Sequence, residues 1–273
     1  MSNTHKKIGL VLGGGGAKSF AHLGIIDVFR EHNIPIDVIV SCSAGSLFGA
    51  FAANNISSKR VKEVFVPRLS RSKWFLPGLS RKGFLSQKNI KDISKKLCGD
   101  ICIEDCAIPF HTVVTNINTG DLHVCNSGNL AKSIGASMAF PGMYAPVKID
   151  GELYVDGGVL NGIPADVCRN IVGKDGVVIS INLDGVMRGE IKNYSMIGVA
   201  YRSLYISLFK QRQKILKENS DIVIPVFHKT NFNFKSWRDI LTFYSIKKMD
   251  EFYELGREKA HEHIESIKES III

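Results

Sequence analysis

Residues Ile8–Phe29 read IGLVLGGGGAKSFAHLGIIDVF, and residues Asp37–Ala50 read DVIVSCSAGSLFGA. Each stretch begins with a short apolar run, breaks at small residues and continues with helical spacing. A run of four to eight apolar residues ending at glycine reads as a buried strand. Leu23, Ile26 and Phe29 then recur at the helical period, and Gly45, Gly49 and Ala53 give the second helix one face of small residues. Two successive strand–turn–helix units predict a parallel sheet with crossover helices.

The rest of the chain extends that pattern. Strands are expected over 110–117 and 122–126, joined by the turn Asn118-Thr119-Gly120-Asp121. A helix over 129–139 is stopped by Pro141, and 146–149 and 152–155 form a hairpin around Asp150-Gly151. Buried strands are expected over 176–183 and 221–226, with one long helix over 190–219 between them and a charge-rich helical piece over 235–268. The expected fold is a three-layer α/β/α sandwich with a mostly parallel central sheet. No linker or internal repeat divides the 273 residues, so one domain is expected over 1–273, with a core over 7–184 and a C-terminal helical extension over 190–273. Residues 68–91 look least ordered, with two glycines, a proline and many cations.

Composition narrows the classes. With 45% hydrophobic and 22% charged residues the chain is ordinary for a globular protein. The apolar run after Lys6-Lys7 is too short for a signal peptide, and no uncharged stretch is long enough to span a bilayer, so a cytoplasmic location is expected. The net charge of +9 suits an anionic partner, yet no helix-turn-helix, zinc-finger or RNP pattern supports nucleic acid. Cys98, Cys102 and Cys106 recur every four residues and read as a buried helix stripe; Cys42, Cys125 and Cys168 are scattered. None forms a C-x-x-C pair, so reduced thiols and no metal site are expected.

The glycine run Gly13–Gly16 presents bare backbone N–H groups to an anion. A P-loop is excluded because Leu12 and Ala17 stand where its two glycines belong. The dinucleotide fingerprint fails at its third glycine, which is Ser19 or Lys18 depending on register. The second unit is more informative. Ser41-Cys42-Ser43-Ala44-Gly45 nearly matches G-x-S-x-G, the tight turn that projects a nucleophilic serine from a strand end. Both loops lie at the carboxyl ends of strands, the edge where sites of open α/β sheets form. Ser43 and the glycine N–H groups then face one point, a nucleophile beside an oxyanion hole. Such a hydroxyl needs a base. The eight histidines offer no triad-like setting, whereas Asp156 sits at a strand end before Gly157 and Gly158.

In that order and spacing, GGGGAK, SCSAG and VDGG resemble the patatin-like phospholipase family. The connecting text SFAHLGIIDVFREHNIPIDVIV, SIGASMAFPGMYAPV and GELYVDGGVLNGIP is similar as well, so the likeness covers about residues 7–184. The resemblance implies a Ser–Asp acyl hydrolase that needs no metal or organic cofactor. Carried over by position, Ser43 is the nucleophile, Asp156 the base, and Gly14, Gly15 and Gly16 supply the oxyanion-hole N–H groups. Gly13, Lys18, Ser41, Gly45, Gly157 and Gly158 support them, and Lys18 holds the loop in shape. Three positions depart from the family pattern. Ser41 replaces the first glycine of the elbow and is expected to add strain, Ser19 replaces the glycine after the basic residue, and Gly162 replaces the commoner Asn. The implied partner is a lipid or fatty-acyl ester, with contact to an anionic membrane surface through 68–91, where Trp74, Phe75, Leu76 and Phe84 lie among Arg71, Lys73, Arg81, Lys82 and Lys88. The alternative is a membrane-associated binding or regulatory protein on a slowed hydrolase scaffold.

Overall fold

The computed structural model describes residues 5–69, 77–80, 83–85, 87–184, 196–226 and 246–272. Strands β1 (Ile8–Leu12), β2 (Val38–Cys42), β5 (Phe110–Asn116), β9 (Val177–Asn182) and β10 (Ile222–Pro225) pair in parallel, in the order β10-β9-β1-β2-β5. Strands β6 (Leu122–Cys125), β7 (Val147–Ile149) and β8 (Glu152–Asp156) add antiparallel pairings on the β5 side. A separate hairpin joins β3 (Pro77–Ser80) to β4 (Gly83–Leu85).

Side-chain alternation along the central strands makes two cores. Ile8, Leu10, Leu12 and Ile39 belong to a large cluster, and Val11, Val38 and Val40 to a smaller one on the opposite face. The large side is covered by α1 (Phe20–Glu31), α2 (Ala44–Ala53), α4 (Lys88–Cys98), α5 (Leu130–Ser137) and α8 (Ile246–Ile271); α3 (Ser58–Leu69) adds Val61, Val64 and Phe65. The small side is covered by α6 (Ala165–Val172) and α7 (Met196–Asn219), through Cys168, Val172 and Leu216. The result is the three-layer α/β/α sandwich expected. Helices α1 and α8 cross closely because Gly24 and Gly256 face each other's backbone. A Cβ on Gly24 would fall 2.1 Å from the Tyr253 carbonyl oxygen, and one on Gly256 would fall 2.2 Å from that of Ala21.

Most expected elements are present with shifted ends. The helix expected over 129–139 runs Leu130–Ser137 and stops before Pro141, its start capped by the Asn129 side chain on the Lys132 N–H. Asp150 and Gly151 both have positive φ, 47° and 93°, as a tight hairpin turn demands. The C-terminal helix continues to Ile271, and the long helix begins at Met196, with 185–195 and 227–245 outside the described residues. Three helices, α3, α4 and α6, have no counterpart in the sequence reading.

The cysteine row needs correction. Cys98 ends α4, Gly99 at φ 86° terminates that helix, and Cys102 and Cys106 flank a short 3₁₀ turn, Ile103–Asp105, in extended conformation. The spacing of four is therefore no helix stripe. Glycine at 99 and the cap at Asp105, whose carboxylate accepts from the Cys102 N–H, break the period.

One feature of the sheet positions the site. On β5, Thr112–Thr115 pair with β6 along one edge, so β2 and β8 share the other. There β2 ends with Cys42 opposite Val113, and β8, running the other way, ends with Asp156 opposite Val114. The two strand ends meet head to head.

Candidate active site

That meeting brings Ser43 and Asp156 together. Ser43 Oγ donates to Asp156 Oδ2 at 2.6 Å. Ser43 has φ 53° and ψ −131°, a conformation unusual for a residue with a side chain and typically costing about 1–3 kcal/mol. It is held there from both sides. Its N–H donates to Ser137 Oγ at 2.9 Å, and its carbonyl accepts the Ser46 N–H at 2.9 Å and the Ser46 hydroxyl at 2.5 Å. Ser137 is fixed in turn by Thr112 Oγ1, 3.0 Å away, and by the Val113 carbonyl, 2.8 Å away. Gly45 lets α2 start against the end of β1, since a Cβ there would meet the Leu12 carbonyl oxygen at 2.3 Å.

The strain expected at Ser41 is not at that position. Ser41 lies inside β2 without a positive φ, fully buried, and its hydroxyl donates to the His111 carbonyl at 3.0 Å. Ser19 is likewise buried in ordinary helical geometry, φ −64°, and its hydroxyl has no hydrogen-bond partner among the described residues.

Asp156 is 1% exposed. Its Oδ1 accepts the Gly158 N–H at 2.7 Å and the weak Cys42 thiol at 3.7 Å, while Oδ2 takes the Ser43 hydroxyl. Burial pushes the carboxyl up to about 6, against the opposing pull of those hydrogen bonds and of the Arg212 charge. Gly157 is needed for the approach to β5, because a Cβ there would fall 2.3 Å from the Val113 carbonyl oxygen.

The glycine loop lies directly against Ser43. A Cβ on Gly14 would fall 3.0 Å from Ser43 Cβ and 3.7 Å from its Oγ. The N–H of Gly14, however, already donates to the Gly162 carbonyl at 3.0 Å. Of the three expected oxyanion donors, Gly14 is thus engaged. For the N–H groups of Gly15 and Gly16 no acceptor is found among the described residues. Gly16 has φ 58°, the left-handed region that glycine enters at no steric cost. The N–H of Ala44, in the first turn of α2, is a further donor that the helix leaves unpaired.

Lys18 and His22 brace this loop from behind. Lys18, 6% exposed, donates its Nζ to the Leu183 carbonyl. Burial pushes its ammonium down to about 8, with Asp184 opposing. His22, wholly buried, sits 2.9 Å from the Gly13 carbonyl through Nε2; burial pushes it down to about 4, so it is neutral at pH 7. A Cβ on Gly13 would meet Ile163 Cγ1 at 2.8 Å, which explains the first glycine.

Sequence reasoning missed Ser137, Thr112, Asp184 and Arg212. Arg212 lies on α7, 50 positions beyond Gly162, and its Nη1 pairs with Asp184 Oδ1 at 3.1 Å. No local motif marks it, because its address is a helix packed on the opposite face of the sheet. Among the described residues no cluster of three or more His, Cys, Asp or Glu could hold a metal ion.

Comparison with known proteins shows the family. The profile of the family Patatin-like phospholipase matches residues 10–169, more than half of the chain. Neuropathy target esterase sws of Drosophila melanogaster is 32% identical over 199 residues, which are 70% of this chain and 14% of that protein. Patatin-like phospholipase domain-containing protein 7 of Mus musculus is 34% identical over 204 residues, again 70% of this chain and 14% of the relative. The chain thus spans about one-seventh of the length of these two relatives. Among solved structures, VipD from Legionella pneumophila covers 96% of this chain and 67% of its own, at 16% identity and a TM-score of 0.49. The chain belongs to the patatin-like phospholipase family.

Proposed function

We propose that the protein is a lipid acyl hydrolase in which Ser43 attacks a carboxylic ester and Asp156 serves as its base. The observation that carries this reading is the 2.6 Å contact between the Ser43 hydroxyl and a buried carboxylate, at a residue held in a strained turn. Ser43 Oγ bonds to the ester carbon as its proton passes to Asp156. The carbonyl oxygen becomes an oxyanion facing Gly15, Gly16 and Ala44; one such donor is worth about 2.7–4 kcal/mol where it has been removed. The alcohol leaves with the proton from Asp156. Water then attacks the acyl carbon and gives its proton to Asp156; the bond from that carbon to Ser43 Oγ breaks, Asp156 returns the proton to Oγ, and the acid is released. A carboxyl titrating near 6 is a better base than one at 3.8 and is still ionised at neutral pH.

Contact with an anionic lipid surface belongs to the same proposal. Within the 68–91 segment expected to make it, residues 70–76, 81, 82 and 86 lie outside the described residues, Trp74, Phe75 and Leu76 with Arg71, Lys73, Arg81 and Lys82 among them. The support comes instead from α7. Met196, Val199, Leu204 and Ile206 are exposed large apolar side chains, and exposed Lys210 and Lys214 follow along the same helix. An apolar tip next to cations suits the boundary between acyl chains and headgroups. No helix of the described residues is long and apolar enough to cross a membrane.

The test is intact-mass spectrometry after exposure to a fluorophosphonate, on the wild type and Ser43→Ala. One adduct on the wild type and none on the variant is expected. An unmodified wild type, or an adduct that persists in Ser43→Ala, would remove Ser43 from the mechanism.

A further inference from the structure

Gly162 lies in the loop that leaves Asp156, and Arg212 fills the space that a side chain there would take. A Cβ on Gly162 would fall 2.2 Å from Nε, 2.6 Å from Cζ and 2.7 Å from Nη2 of Arg212. Gly162 is not among the glycines of positive φ, so its backbone does not call for glycine. The guanidinium does. It is held by Asp184 at 3.1 Å, and its side chain is only 14% exposed.

The other edge of the guanidinium faces the dyad. Nη2 is 3.5 Å from the point where a Gly158 Cβ would sit, and that point is 3.0 Å from Asp156 Oδ1 and 3.8 Å from Cys42 Sγ. Arg212 is within ion-pair distance of Asp184 but not of Asp156. The cation stands close to the base without occupying its oxygens. The same loop residue links Arg212 to the nucleophile, since the Gly162 carbonyl accepts the Gly14 N–H at 3.0 Å and Gly14 abuts Ser43.

Resting on the reading of Ser43 and Asp156 as the reacting pair, we propose that Arg212 is the positioning residue of the dyad. It supplies the positive field under which Asp156 works as a base and braces the Gly157–Gly162 loop, and Gly162 is glycine in order to admit it. A contact ion pair would tie up the carboxylate lone pairs that must receive the serine proton. A cation one residue's width away favours the ionised form through space and leaves both oxygens to their present donors. The Arg212 charge is among the influences holding the Asp156 carboxyl down against burial. Without it, the base form would give way to the acid closer to neutral pH.

The experiment reads the base without needing the natural substrate. The second-order rate of fluorophosphonate modification of Ser43 is followed by intact mass from pH 5 to 9, for wild type, Arg212→Gln, Arg212→Lys and Gly162→Ala. Thermal midpoints are recorded in parallel. The wild-type rate is expected to rise through a midpoint near the Asp156 value of about 6. Arg212→Gln removes the charge, and Gly162→Ala displaces it while keeping it in the chain. Both should move the midpoint up by about half a pH unit or more. Arg212→Lys should bring it back toward wild type. If Arg212→Gln fails to fold, Gly162→Ala carries the comparison alone. Lower thermal midpoints with an unmoved pH midpoint would overturn the proposal, because a purely structural brace has that signature. A wild type that does not react, or reacts at a rate independent of pH, would fail the dyad reading itself, and the role of Arg212 falls with it.

Discussion

Two aspartates are buried near the carboxyl ends of strands on this edge of the sheet, and they are put to different uses. Asp156, 1% exposed, closes β8; Asp184, 4% exposed, follows β9. Every contact to the Asp156 oxygens comes from a neutral donor: the Ser43 hydroxyl, the Gly158 N–H and the Cys42 thiol. Asp184 instead has the Arg212 guanidinium in contact, with Lys18 exerting its charge nearby. Neutral donors leave a buried carboxylate under-stabilised and therefore basic. A contacting cation pairs it and makes it structural. The buried charges Lys18, Asp156 and Asp184 and the partly buried Arg212 balance in sign, which limits what their burial costs.

The hardest test of this contrast replaces each carboxylate by its amide. Asp156→Asn is expected to lower turnover by about 10³-fold or more, in line with losing a general base. Its effect on stability should have the opposite sense. Because the folded pKa is raised from 3.8 to about 6, the native state binds the proton more tightly than the unfolded chain. The resulting penalty is absent below about pH 4, grows as pH rises to 6 and is complete above it, on the order of 3 kcal/mol. At pH 7 the amide escapes that penalty, so urea denaturation should find Asp156→Asn at least as stable as wild type. Retained ester turnover, or a protein that unfolds on this exchange, would break the distinction at its functional end.

Asp184→Asn should behave in reverse. It leaves Arg212 as a largely buried charge without its partner, an error that costs up to about 3–5 kcal/mol where burial is complete. The urea midpoint should fall at pH 7 by the corresponding amount, with activity lost through the disturbed loop rather than through a missing base. If Asp184→Asn were as stable as wild type, the ion pair would not be what fixes Arg212.

A matched pair of backbone tests follows on the same scale. Gly45→Ala and Gly157→Ala each force a Cβ against a carbonyl oxygen, of Leu12 and of Val113, at 2.3 Å. Backbone cannot swing aside as a side chain can, so each should cost about 1–3 kcal/mol in urea and lower the fluorophosphonate rate together with it. Gly162→Ala first meets a side chain, the Arg212 guanidinium, and should cost less stability than either while still moving the pH midpoint.

How much of this was legible in the sequence follows from where each interaction lies along the chain. The elbow at Ser43 and the glycine run are local, each written within one strand–turn–helix unit, so their residue types betray them. The unbroken apolar runs of β1 and β2 mark both faces of these strands as buried, and the structure sends Leu10 and Ile39 into one core and Val11 and Val40 into the other. Asp156 could be chosen because strand and glycine pair adjoin it. The head-to-head meeting of β2 and β8 on β5 could not, because it depends on the register of three distant strands. Arg212 is the extreme case. In the sequence it is one cation of a long helix that also carries Arg202, Lys210, Lys214 and Lys217, and only packing singles it out. Gly162 was noticed as a departure, but its reason lay 50 positions away. The cysteine row misled for the converse reason: a period of four is a helix signal only while nothing within it ends the helix, and Gly99 does.

The smallest effect is expected at Cys42, and it sharpens the contrast from the neutral side. Its thiol, wholly buried, lies 3.7 Å from Asp156 Oδ1 and is the weakest of the three donors. Cys42→Ala should raise the pH midpoint of Ser43 modification by no more than a few tenths of a unit, since it removes one weak hydrogen bond and no charge. The lost sulfur leaves a small void, costing about 1 kcal/mol in the urea midpoint. Arg212→Gln should therefore exceed Cys42→Ala in its effect on pH, although only the cysteine touches the carboxylate. That order is the signature of a base tuned by a cation held at a distance. If Cys42→Ala moved the midpoint as far as Arg212→Gln, short-range hydrogen bonding would govern Asp156, and the two buried aspartates would differ only in how many donors each has.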